Sequence, residues 1–235
     1  MAAETQVLLN NEKKYIAKFF SDAAESDVKK VDLSTLTWAK HTITLSGAAS
    51  PNFKIGEVLT VGAEKYLVTG FTAGASTVEV VGWDNTNKKA TAIDASSSGG
   101  DAVSGGVSGS NTRTYSSIAE QDYNVLVTKI MWITNGLQVR IEWDGSTAEK
   151  HIAELAGNGS WSMPGNEWPG IGINATGDSG AVLGDIQFNT TGHGSGDSYT
   201  IIMELKKQAP GFDIPAYEQN VVLGYPVDYL LGNFT

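Results

Sequence analysis

The chain has 235 residues, with 26 acidic against 16 basic side chains, a formal net charge of −10 and no cysteine. Hydrophobic residues make up 41% and charged residues 18%, below the roughly 25% of average domains, so the chain can bury a core in one or two domains. The acidic balance argues against phosphate-backbone binding, which is built on Lys and Arg, and the lack of cysteine excludes disulfides, thiolate zinc sites and a Cys nucleophile.

The 27 glycines against 6 prolines point to many tight turns and an all-β reading. The N-terminus has no basic region followed by an apolar run, and no stretch of about 18 apolar residues occurs. The expectation is a soluble protein assembled in a reducing compartment.

In chain order, Leu8, Leu9, Tyr15, Ile16, Phe19, Phe20 and Ala23 recur at three-to-four-residue steps, with Asn10 or Asn11 as a cap. This predicts an N-terminal helix within residues 1–30, either packed on its own domain or serving as an arm against a neighbouring subunit. Short apolar runs follow at Thr42–Leu45, Val58–Val61, Tyr66–Val68 and Val78–Val81, separated by glycines. They predict a small β-barrel-like unit over residues 38–93. Residues 94–117 begin with a Ser- and Gly-rich run, Asp94 to Asn111, that reads as a flexible linker.

Asn135-Gly136 then predicts a two-residue type I′ turn. That register pairs Trp132 with Val139, Ile130 with Ile141 and Thr128 with Trp143 on an apolar face. It sets Lys129 opposite Glu142, Met131 opposite Arg140 and Ile133 opposite Gln138 on a mixed one. Further strands are expected at His151–Ala156, Gly159–Met163, Asp185–Thr190 and Ser198–Lys206. In the last, Tyr199, Ile201, Met203 and Leu205 form a buried face. Residues 118–208 therefore read as a β-sandwich of immunoglobulin or jelly-roll type. Residues 209–235 form an aromatic, proline-spaced arm with Phe212, Tyr217, Tyr225, Tyr229 and Phe234.

Several patterns invite chemistry and do not carry it. Gly177-Asp178-Ser179-Gly180 resembles a serine-protease nucleophile turn, with His41 and Asp84 or Asp101 in the right order. However, Ala181 stands where that family has glycine, and the linker separates base from nucleophile. His41, His151 and His193 lack metal-ligand spacing, and Asp178, Asp185 and Asp197 do not form a calcium loop. No catalytic residue, cofactor or metal is expected. Trp161 and Trp168, near Glu154 and Glu167, are candidate glycan contacts; the simpler reading places such aromatics in the core.

Ser26 through Leu36 contains Lys30-Val31-Asp32 followed by Ser34 and Leu36. Lys129 through Asp144 and Gly184 through Lys207 follow in order. Together these resemble small structural proteins of tailed bacteriophages, notably marine and cyanobacterial ones, over residues 26–36 and 122–207. The resemblance implies a non-enzymatic virion component with a jelly-roll-like sandwich. Residues 31–37 would be its first strand, and Trp38 to Ser117 an insertion absent from the family pattern.

The expected function is a structural protein on the outside of the capsid, neck or tail. It would be a homo-oligomer assembled in the bacterial cytoplasm, contacting other virion proteins but neither nucleic acid nor membrane. Candidate interface residues are Leu8, Leu9, Tyr15, Ile16, Phe19, Phe20, Phe212, Tyr217, Tyr225, Tyr229 and Phe234. The alternative is a carbohydrate-binding adhesin or fibre-associated module at the host surface.

Overall fold

The computed structural model describes residues 3–47, 53–93, 102–104, 113–120, 123–145, 149–163, 171–172, 185–208 and 211–212. In chain order these form strands β1 (Glu4–Asn10), β2 (Lys14–Ser21) and β3 (Val28–Val31), then a 3-10 turn (Leu33–Thr35). Next come β4 (His41–Leu45), β5 (Val58–Val61), β6 (Glu64–Phe71), β7 (Thr77–Asp84), β8 (Lys89–Thr91), β9 (Ala102–Ser104) and β10 (Arg113–Glu120). The last are β11 (Asn124–Trp143), β12 (Lys150–Ser162), β13 (Ile171–Gly172), β14 (Ile186–Thr191) and β15 (Ser198–Gln208). The fold is mainly β, in two curled antiparallel sheets. The chain divides into one unit of Met1–Leu33 with Asp122–Pro210, and another of Ser34–Gln121 with Gly211–Thr235.

The expected N-terminal helix is not formed: its residues make the β1–β2 hairpin. Tyr15, Ala17, Phe19 and Ser21 point inward and are buried, whereas Lys14, Ile16, Lys18 and Phe20 face outward, which is period two rather than 3.6. Tyr, Ile and Phe favour the pleated surface. Asn11, read as a helix cap, closes the hairpin turn instead. Its Oδ1 accepts the backbone N–H groups of Lys13 at 3.0 Å and Lys14 at 2.8 Å. A short Asx side chain satisfies adjacent amides in either setting, so the cap signal was ambiguous.

The Asn135-Gly136 hairpin is also absent. β11 runs through this dipeptide as one 20-residue strand at the centre of the first sheet. Along one edge, its first part pairs with β15, from Asn124↔Gln208 to Asn135↔Ser198, and its last part with β14, from Gln138↔Thr191 to Trp143↔Ile186. β12 pairs along both parts, and residues 134–137 oppose Gly157 alone. The surplus residues form an irregularity of the β-bulge kind, which bends a strand and strengthens its twist.

Gly136 does adopt the positive φ, 78°, that the turn reading required. A Cβ there would also lie 1.9 Å from Asp197 Oδ1. Beyond the bend the sheet curls back on itself. Phe19 of β2 meets Phe188 of β14 edge-on, with centroids 5.2 Å apart, although β15 and β11 separate those strands in the sheet.

Three smaller boundaries move as well. The two strands expected at His151–Ala156 and Gly159–Met163 are one, β12, because Gly157, at φ 65°, bends the chain without ending its ladder. The strand expected at residues 31–37 lies earlier, as β3, paired with β14; the 3-10 turn follows it. Within residues 94–117, read as linker, β9 and the first part of β10 pair into the second sheet.

In that second sheet the pairings run β4-β10-β9-β5-β6-β7, and β4 also pairs with β7, so the ladder closes on itself; β8 is added to β7. Inward positions from these strands supply the core: Ile43, Leu59, Val61, Tyr66, Val68, Val78, Val80 and Val103. Closure leaves few free edges, and alternate residues fill the interior.

Candidate functional site

The feature of the first unit that packing alone does not account for is the outward face of β1, β2, β15, β11 and β12. The registers set Gln6, Lys18, Ile202, Met131 and Ser160 in one row across it. Glu4, Phe20, Thr200, Ile133 and Asn158 form the next. Ile133 is 64% exposed and Met131 39%. With half-buried Ile202, Ile16 and Phe20 they make an apolar strip across adjacent strands, interrupted by Lys18 and Thr200.

At the edge of the same sheet, Val7 is 53% and Leu8 49% exposed, and the β1–β2 register shifts between Val7 and Leu9. Isolated exposed apolar side chains are ordinary; a contiguous set marks an interaction surface.

Lysines rim this strip. Lys14 reaches Glu204 Oε1 at 2.8 Å, and Thr128 Oγ1 donates to the same carboxylate at 3.0 Å. Burial works to raise the Glu204 pKa, but these hydrogen bonds and the charges of Lys14 and Lys129 outweigh it and hold the carboxyl below its ordinary value.

The sheet interior holds several charged side chains. Lys30 and Glu25 pair at 2.5 Å with both side chains almost fully buried, and the Tyr199 hydroxyl donates to Glu25 Oε2 at 2.7 Å. Burial, with the adjacent Glu25 carboxylate, keeps that phenol protonated far above its usual range. Asp185, buried, accepts from Lys29 at 2.5 Å and from the Leu33 amide at 2.8 Å. Burial leads and raises its pKa despite these donors.

Lys207, the last inward residue of β15, is 1% exposed. Its Nζ donates to Asn10 Oδ1 at 2.8 Å and to the Asn11 carbonyl at 2.7 Å. Burial pushes its pKa down to about 7, against the opposing pull of the Glu12 carboxylate.

Of the residues singled out from sequence, Leu8, Leu9, Ile16 and Phe20 lie at least partly exposed on the β1–β2 hairpin, while Tyr15 and Phe19 are core. Phe212 is buried in the second unit, bridged to Ala39. Trp161 is half-buried on β12 opposite Ile130. Tyr217, Tyr225, Tyr229, Phe234, Trp168, Asp178 and Ser179 lie outside the described residues.

His41 is buried, with Nδ1 3.4 Å from the Ala39 carbonyl. His193 Nε2 is 3.1 Å from the Asp22 carbonyl, and His151 is exposed. Asp197 accepts the Gly194 amide at 2.7 Å. Among the described residues no group of three His, Asp or Glu side chains could hold a metal ion, and no helix is long and apolar enough to cross a membrane.

Sequence reasoning passed over Met131, Ile133 and Ile202. The available signal was two large apolar side chains on the face of β11 assigned as mixed. It also passed over Lys207, which continues the buried alternation of Tyr199, Ile201, Met203 and Leu205 by one further step.

No family model matches the chain, and no curated protein matches it. Among solved structures it is similar to a chain from one described as "Complete structure of manganese lipoxygenase of Gaeumannomyces graminis and partial structure of zonadhesin of Komagataella pastoris". The identity is 8%, over 88% of this chain and 84% of that one, with a TM-score of 0.12, too low to support any argument about fold or function.

Proposed function

We propose that this protein is a non-enzymatic structural component of a tailed-phage particle. It binds the outside of the capsid, neck or tail in symmetric copies and stabilises the assembly by bridging subunits. The bent first sheet serves as its jelly-roll-like sandwich. The observation that carries the reading is the apolar strip of Met131, Ile133, Ile202, Ile16 and Phe20 on the outward face of a sheet whose inner face is already packed. The resemblance of residues 26–36 and 122–207 to phage structural proteins supplies the setting. The net charge of −10 favours the outside of a DNA-filled shell over its interior.

The test is the double substitution Met131→Glu, Ile133→Glu. Both side chains are exposed, so folding stability should change by no more than about 0.5 kcal/mol per site. Incorporation into particles, read by labelling and imaging a tagged copy, should fall at least tenfold. Undiminished occupancy by a folded double variant would overturn the proposal.

A further inference from the structure

We propose that Asn10 and Lys207 become joined by an intramolecular isopeptide bond, which locks the N-terminal hairpin to the last strand of the first unit. The two side chains come from opposite ends of that unit. Asn10 closes β1, Lys207 lies near the end of β15, and Lys207 Nζ is 2.8 Å from Asn10 Oδ1. The atom that would be attacked, Cγ, is bonded directly to that oxygen, so the amine is held beside the carboxamide it would attack.

A second hydrogen bond, 2.7 Å to the Asn11 carbonyl, fixes the position of the amine, and the backbone N–H of Lys207 is anchored to the Lys13 carbonyl at 2.8 Å. Lys207 is fully buried, and desolvation brings its ammonium down to about 7, so a large share is the neutral, nucleophilic amine near neutral pH. Asn10 is partly exposed, which gives the leaving group a way out.

The step balances without oxidant or co-reactant. The lone pair of Lys207 Nζ attacks Asn10 Cγ, forming the new C–N bond, and the Cγ–Nδ2 bond breaks. One amine proton passes to the departing nitrogen, which leaves as ammonia. The negative charge of Glu12, in the same turn, acts on Lys207 and makes it the carboxylate suited to carry that proton. The product is a secondary amide closing the chain between positions 10 and 207. That removes conformational freedom from the unfolded chain in the way a long-loop disulfide does, in a protein with no cysteine.

Intact-mass measurement of the full-length folded protein, denatured only for analysis, tests this. The expected mass is lower than the sequence requires by one ammonia. Trypsin digestion should yield the peptide ending at Lys13 joined to the one that contains Lys207. Asn10→Ala should restore the full mass of its own sequence, and wild-type chain kept in denaturant should retain its ammonia, because only the fold brings the two groups together.

Succinimide formation at Asn135-Gly136 would cost the same mass, so the joined peptide is the deciding readout. An unaltered mass after prolonged incubation of folded protein in mildly alkaline buffer would overturn the proposal. So would a loss mapped to Asn135, or one that occurs equally in denaturant.

Discussion

Glu25 and Lys30 show how a single pair can be essential without being a large net source of stability. Both side chains are almost completely removed from water, so each depends on the other, and the Tyr199 hydroxyl takes the second carboxylate oxygen. The Lys30 ammonium also lies about 6 Å from the ring centroids of both Phe188 and Tyr199, within reach of a cation–π attraction. Deleting one partner strands the other charge in the sheet interior. Glu25→Ala should therefore cost about 3–5 kcal/mol, whereas the paired change Glu25→Leu, Lys30→Met should cost far less, because it removes both desolvation penalties together. Denaturant midpoints of the two variants compare them directly, and equal losses would show that the packing of Phe188 and Tyr199, not charge, carries the effect.

At the scale of elements the instructive one is β11. A hairpin turning at Asn135-Gly136 and a strand bending there make different partners, and engineered cysteines separate them cleanly in a chain that has none of its own. Met131→Cys with Ile202→Cys joins directly opposed positions of β11 and β15 and should oxidise readily to a disulfide. Met131→Cys with Arg140→Cys, opposed in the hairpin register but nine residues apart along β11, should keep both thiols free; the reverse outcome would restore the hairpin.

The face pattern could not decide between the two. A two-residue loop pairs even with odd positions, and the irregularity at residues 134–137 also switches the inward side, from Ile130 to Val139, Ile141 and Trp143. Both geometries therefore sort the same side chains into core and surface. The sorting of Ile130, Val139, Ile141 and Trp143 was legible, as was the positive φ at Gly136, but not the partner strands. β14 and β15 lie more than forty residues downstream, and local turn chemistry says nothing about such distant pairing.

The N-terminal helix reading failed for a related reason. Tyr15, Ile16, Phe19 and Phe20 satisfy both helical and alternating spacing in so short a window, and only pairing with β15 selects one. Of the candidate surface, Leu8, Leu9, Ile16 and Phe20 were readable as apolar residues in search of a partner. Their separation from buried Tyr15 and Phe19 follows from strand alternation and could not precede it.

For the whole molecule, the chain's path matters more than its length. It leaves the first unit after Leu33, returns at Asp122 and leaves again after Pro210, so the second unit is assembled from two distant segments. The later segment supplies Phe212, 1% exposed and bridged to Ala39, and the Lys40 amide donates to the Gly211 carbonyl at 2.9 Å. Phe212 is not one of the second sheet's core residues but is fully buried against Ala39, just before β4, so its burial ties the later segment to the start of the sheet. Phe212→Ala should destabilise the second unit by about 3–5 kcal/mol through lost burial and the cavity left behind. Hydrogen exchange resolves the consequence by location. Amides of β4, β6 and β7 should lose protection in the variant, while those of β2, β11 and β15 should keep it. Uniform loss in both groups would instead mean that the two units unfold as one cooperative body, and that the last segment stabilises the molecule rather than the sheet it joins.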